Sequence, residues 1–164
     1  MEIAETSKSR VDSAVDVLSG KLKDILAQKE KGVIQVDSDC IVVEAARKMR
    51  DNKVGALMVL ENGELVGIFT ERDLMSRVVA ERLDPEKVKV SAAMTSSIAT
   101  VPLETPIREA ANLMSQNRIR HLPVLQDGKL CGVISAGDIF AWKLREQEFT
   151  LHQLEDYFFA EYYY

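Results

Sequence analysis

EAARKMRDNKVGALMVLENGELVGIFTERD (Glu44–Asp73) decides the fold, because EAANLMSQNRIRHLPVLQDGKLCGVISAGD (Glu109–Asp138) repeats it without a gap. The displacement is 65 residues, Glu44 onto Glu109. Identical pairs include Ala45/Ala110, Met49/Met114, Asn52/Asn117, Gly63/Gly128, Gly67/Gly132 and Asp73/Asp138. A register of that length is an internal repeat, and a repeat is one supersecondary unit used twice.

Each copy follows the same order. A β-rich piece comes first, Gly32–Val36 in one copy and Ile98–Val101 in the other. A helix is expected next, from Ile41, Val42, Ala45, Ala46 and Met49, matched by Ile107, Ala110, Ala111 and Met114, which share one face of a 3.6-residue period. In the second copy Thr105 can cap that helix, with Pro106 in its first position. Two strands follow, Ala56–Leu60 with Glu64–Phe69, and Leu122–Leu125 with Lys129–Ile134. Asn62-Gly63 and Asp127-Gly128 join them, dipeptides that reach positive φ at small cost and suit tight hairpins. A second helix closes each unit, with apolar Leu74, Met75, Val78 and Val79 against Ile139, Phe140 and Leu144. The expected class is α/β (α+β): two β-α-β-β-α repeats packed sheet to sheet about a pseudo-two-fold axis. One such unit is too small to bury its own sheet, and the groove between two is a natural ligand site.

Working outward, 164 residues suffice for one ordinary domain or two small ones. The boundaries expected are an N-terminal helical extension over 1–21, a first repeat over 22–83, a second over 84–144 and an aromatic helical tail over 145–164. The net charge of −5 and the lack of a basic run argue against nucleic acid as partner. The longest apolar run, Val54–Leu60, is far short of the ~20 residues that span a bilayer. No signal-peptide pattern opens the chain, so a cytoplasmic location with no membrane partner is expected. Cys40 and Cys131 have no metal-site spacing, and each is expected to be a small buried hydrophobe.

Chemistry concentrates where strand runs into helix. Gly67-Ile68-Phe69-Thr70-Glu71-Arg72-Asp73 and Gly132-Val133-Ile134-Ser135-Ala136-Gly137-Asp138 share the pattern G-h-h-[ST]-x-x-D. A hydroxyl followed three residues later by an acid is a helix capping box, which alone accounts for both residues. The same carboxylate can also accept hydrogen bonds from the two hydroxyls of a ribose, while the helix N-terminus suits a phosphate. Ser135, Asp138 and His121 contain the ingredients of a hydrolytic triad. The repeat already explains Ser135 and Asp138, no nucleophile-elbow motif accompanies them, and the chain is therefore expected not to be an enzyme.

On the doubled G-h-h-[ST]-x-x-D element and NRIRHLPV (Asn117–Val124), the chain resembles a tandem pair of cystathionine-β-synthase-type (CBS) domains, a Bateman module, from about Leu22 to Leu144. The resemblance implies adenine nucleotides or related adenosyl ligands in clefts between the two domains. It implies ribose binding by Thr70 with Asp73 and by Ser135 with Asp138. It places Val36, Ala56, Thr100, Val101 and Pro123 around the adenine rings. The copies differ where phosphate is expected: Arg120-His121 in the second stands at Gly55-Ala56 of the first. Arg120, His121, Arg118, Lys53 and Arg72 are the phosphate candidates, and two unequal sites follow from the asymmetry. The ligand class is AMP, ADP or ATP, with NADH and S-adenosylmethionine as further members, and neither a catalytic cofactor nor a metal site is expected. Self-association into a homodimer and an unidentified regulated protein complete the expectation. The alternative is a structural or partner-binding adaptor with empty clefts.

Two end segments lie outside the repeat. Val11, Val15, Leu18, Leu22 and Ile25 are spaced as the seam of an amphipathic helix, which Gly20 weakens. All four tyrosines fall in Tyr157–Tyr164, and Phe149, Leu154, Tyr157 and Phe158 are expected to form one helical stripe, with Leu151 beside it, in a tail whose aromatics need burial.

Overall fold

The computed structural model describes residues 19–148. The segment Val11–Leu18 of the N-terminal seam and the tyrosine-rich tail lie outside the described residues. Helix α1 (Leu22–Ala27) buries Leu22 and Ile25 and begins only after Gly20, whose φ of +99° no helix accommodates. A side chain on Gly20 would also meet the Trp142 ring at 3.1 Å and Ile107 at 3.3 Å, so both backbone and space call for glycine just before α1.

The first repeat runs β1 (Gln35–Asp37), α2 (Val42–Asn52), β2 (Ala56–Glu61), β3 (Glu64–Thr70) and α3 (Glu71–Asp73), which continues as a π-helical segment over Leu74–Val79. A short helix α4 (Val90–Ala93) leads into the second repeat: β4 (Val101–Pro102), α5 (Ile107–Asn117), β5 (His121–Gln126), β6 (Lys129–Ser135) and helix α6 over 136–148. The β-α-β-β-α order thus holds twice. The opening strands are shorter and later than expected, Gln35–Asp37 for Gly32–Val36 and Val101–Pro102 for Ile98–Val101. Their start is set by where the neighbouring strand offers a parallel partner, Gln35 opposite Met58 and Val101 opposite Val124. The cap of α5 falls one residue on, at Pro106, with no side-chain bond, and Thr105 is buried.

Each sheet has three strands, β1-β2-β3 and β4-β5-β6, with the outer strand parallel to the first of its hairpin. Register places Ala56 opposite Thr70 at the end of the first hairpin, with a bulge between Val59 and Leu60. Both turns take positive φ at two successive residues, Asn62 (52°) with Gly63 (84°) and Asp127 (51°) with Gly128 (76°). That is the turn whose twist matches flanking strands.

Backbone contacts divide the chain into two compact units, and these do not follow the repeats. One is Lys29–Leu103 with His121–Val133; the described part of the other is 19–28, Glu104–Arg120 and 134–148. In the larger unit the helix-facing side of β1–β3 buries Leu57, Val59 and Phe69 against Val42, Ala45 and Met49 of α2. The opposite side buries Ala56, Met58 and Ile68 with Val33, Leu65, Ile98, Leu130 and Val133. Val33/Ile98, Leu65/Leu130 and Ile68/Val133 are repeat-related pairs, so equivalent faces of the two copies meet, as two-fold sheet-to-sheet packing requires. This packing carries the second hairpin into the unit of the first repeat, because a sheet face stripped of its partner would expose those apolar residues to water.

Candidate functional site

Both strand-to-helix junctions form, and both form as capping boxes. At the first, Thr70 leaves β3 extended (φ −120°) and its hydroxyl accepts from the Asp73 backbone N–H at 3.2 Å. Asp73 Oδ2 in return accepts from Thr70 N at 2.9 Å and from Thr70 Oγ1 at 2.6 Å. At the second, Asp138 Oδ2 accepts from Ser135 N and Ser135 Oγ, each at 2.7 Å, and Asp138 N–H donates back to Ser135 Oγ at 3.1 Å. The two sets of distances agree within a few tenths of an ångström, as expected for one motif used twice. The Ser135 hydroxyl proton goes to its own capping acid, which is the geometry of a helix start and not of an activated nucleophile.

A second shared contact ties each junction to the turn before the hairpin. Glu71 N–H donates to Gly55 O at 3.1 Å, and its repeat counterpart, Ala136 N–H, donates to Arg120 O at 2.9 Å. The backbone is the same and the side chains are not. A Cβ on Gly55 would sit 3.1 Å from the Glu71 carboxylate, so the first junction carries an acid over a bare backbone. The second carries the exposed Arg120 beside the small Ala136. Among the positions expected to meet phosphate or ribose, Arg118, Arg120, Ser135 and Asp138 lie in one unit, and Lys53, Arg72, Thr70, Asp73 and His121 in the other.

Lys53 and Arg118 each end a helix in the left-handed conformation, φ 55° and 52°, so their backbones already serve the fold. Arg72 is exposed on α3, and His121 is half-buried at the start of β5. Around the expected adenine positions, Ala56, Val101, Val36 and Pro123 are buried, and the Val36 side chain belongs to the helix-side core. Thr100 is exposed and lines a cleft of about 660 Å³ in the larger unit, with its repeat partner Gln35 and with Leu60, Leu65, Leu125 and Leu130. Thr70 and Asp73 do not line that cleft.

The model of the CBS domain matches this chain twice, over residues 22–80 and 90–145. The chain belongs to the CBS-domain family. Its CBS pair is 33% identical, over 85% of this chain and 72% of the other, to the mitochondrial CBS domain-containing protein CBSX3 of Arabidopsis thaliana. Among solved structures, a CBS-domain containing protein from Agrobacterium tumefaciens is 34% identical with a TM-score of 0.71, covering 74% of this chain and 98% of that one. A hexameric CBS-CP12 protein from bloom-forming cyanobacteria is 30% identical with a TM-score of 0.67, covering 75% and 71%. CBS-pair proteins are generally regulatory or signal-transduction modules.

Three residues at the first junction of the CBS pair were not singled out by the sequence: Arg77, Thr95 and Glu71. Thr95 Oγ1 donates to Asp73 Oδ1 at 3.0 Å, and Arg77 approaches the same oxygen at 3.6 Å. Arg77 was within reach of sequence reasoning, since it follows Asp73 by one helical turn. Thr95 lies 22 residues away, and no local pattern announces it. The expectation of two buried cysteines is corrected: Cys40 is half-buried and Cys131, on β6, is exposed. Burial still pushes both thiols above their ordinary pKa. Among the described residues no group of His, Cys, Asp and Glu could hold a metal ion, and no helix is long and apolar enough to cross a membrane.

Proposed function

We propose that this CBS pair is a non-catalytic regulatory module that senses an adenine nucleotide, AMP, ADP or ATP, with NADH or S-adenosylmethionine as related candidates. The observation that carries this reading is the second junction. Ser135 and Asp138 open a helix over 136–148, and the exposed Arg120 is fastened to its first residue through Ala136 N–H. A carboxylate for ribose hydroxyls, a hydroxyl and a guanidinium for phosphate then stand together at a positive helix end. Ligand binding would favour one arrangement of the pair over others, and what the outer surface binds would change with it.

That surface supports self-association. Met75 and Phe140 are 68% and 62% exposed, and so are Val79 (63%) and Leu144 (45%). These are two repeat-related pairs on the closing helices, which argues for a homodimer built on equivalent faces. The regulated partner is a further protein that would recognise the assembled module. The satisfied capping boxes favour a second reading, an adaptor whose hydroxyls and acids only start helices.

Thermal denaturation with AMP, ADP, ATP, NADH and S-adenosylmethionine separates the two. A ligand at 100 times its dissociation constant adds about 2.7 kcal/mol to folded-state stability. The sensor predicts such a shift for one ligand, lost in Asp138→Ala. The absence of a shift with all five, repeated in calorimetry, would leave the adaptor.

A further inference from the structure

We propose that the cleft between the two hairpins is a ligand site in its own right, and that it takes a short apolar peptide with both ends free. It lies apart from the strand-to-helix junctions and stands whether or not those junctions take a nucleotide.

The cleft, of about 660 Å³, is lined wholly by the larger unit. Sites for small ligands run to roughly 300–1,000 Å³. Its lining comes largely in repeat-related pairs. Leu60 with Leu125 and Leu65 with Leu130, joined by Ile98, form an aliphatic floor of half-buried side chains. Gln35 with Thr100, and Asn62 from the first turn, bring exposed polar groups to it. A Cβ on Gly63 or Gly128 would meet nothing within 4 Å, so the two turns leave the cleft open. Of the residues expected around adenine only Thr100 lines it, and none of the junction hydroxyls or acids does.

One pair breaks the symmetry. Glu64 and Lys129 occupy the same position in the two repeats, each directly after its turn glycine, and carry opposite charges. Both are exposed, and among the described residues neither has an ion pair. Two-fold packing of the sheets sets them on opposite sides of a floor that is nearly the same from either side. The cleft therefore suits an apolar body with a positive charge at one end and a negative charge at the other. A short apolar peptide has those parts. Its ammonium pairs with Glu64 and its carboxylate with Lys129, its side chains cover the leucines, and its amides meet the side chains of Gln35, Thr100 and Asn62. Covering the leucines removes apolar surface from water, which drives the association. A nucleotide would satisfy Lys129 and be repelled by Glu64. A single amino acid carries both charges on one carbon and cannot set one on each side.

The test titrates the full chain with the tripeptide Leu-Ala-Leu, followed by the amide NMR signals of residues 62–65 and 128–130. Both sets should move together and saturate at one peptide per chain, and saturating AMP should not displace the peptide. Acetylating its amine or amidating its carboxylate should each weaken binding about threefold, the worth of an exposed ion pair. Glu64→Lys and Lys129→Glu, both at exposed positions, should each weaken it about tenfold, since a pair is lost and a repulsion gained. Glu64→Lys/Lys129→Glu should restore binding, with the peptide lying in the opposite direction over the same floor. Signals that stay in place at millimolar peptide overturn the site. Binding indifferent to acetylation and amidation, or a double variant no better than the single ones, overturns the peptide as occupant. Displacement by AMP would make the cleft part of a nucleotide site and overturn the proposal as well.

Discussion

Gly67 shows what a single position can be made to do. It pairs with Val59 across the hairpin and at the same time receives Met94 and Thr95 against its Cα. Its backbone φ is not in the left-handed region, so the requirement is space alone. Gly67→Ala should therefore destabilise the chain by about 1–3 kcal/mol, as overpacking does, despite adding only a methyl group. Urea denaturation measures this directly, and a neutral result would mean that Met94 moves aside. The identity of Gly67 and Gly132 in the repeat was legible in the sequence. The reason for Gly67 was not, since it comes from Met94, 27 positions away. The same holds for Asp73: its capping role could be read from three-residue spacing, and its bond to Thr95 could not.

At the scale of elements, helix ends account for two residues expected to meet phosphate. Lys53 and Arg118 terminate α2 and α5 in a conformation that costs an L-residue roughly 1 kcal/mol relative to glycine. Lys53→Gly and Arg118→Gly should each raise stability by about 0.5–1 kcal/mol in chemical denaturation. A loss of stability instead would show that the side chains do more than end a helix. The start of α1 is held differently. Glu104 accepts from Lys21 at 2.8 Å and from Lys23 at 3.0 Å, and the Lys21 bond foremost holds its carboxyl below the ordinary 4.5. A lowered carboxyl contributes stability that is present above 4.5 and is lost as pH falls through the folded-state value. The pair is exposed, so the effect on unfolding should be small and salt-sensitive. NMR titration should find Glu104 below its usual range in the native chain and back within it in Lys21→Met/Lys23→Met.

At the scale of the whole molecule, the closing helices matter most. Periodicity grouped Leu74, Met75, Val78 and Val79 as one apolar set, and the tertiary structure divides it: Val78 is buried at 1% while Met75 and Val79 face outward. Ile139 and Phe140 divide in the same way. An apolar row repeated at equivalent positions and left exposed is what an isologous interface presents. Met75→Glu/Phe140→Glu should therefore turn a dimer into a monomer by light scattering, with the circular dichroism of the fold retained. A wild-type chain that is already monomeric at high micromolar concentration would remove the homodimer from the proposal.

By itself, the sequence determined the repeat, the order of elements, the turn residues and the two acid-plus-hydroxyl junctions. All of these are carried by spacings of a few residues or by identity in register, which survive as patterns in one dimension. Tertiary structure alone decided where each opening strand begins, that Gly20 is packed against Trp142 and Ile107 just before α1, and that the two compact units cut across the repeats. It also decided that the two junctions, nearly alike in spacing, are unequal in their surroundings. Those outcomes depend on groups brought together from distant parts of the chain. Thr95 reaches Asp73 because it pairs with Ile68 at a sheet edge, and Glu71 covers Gly55 because the hairpin folds back on itself. Hydrogen bonding and close packing act over a few ångströms of space, whatever the separation along the chain.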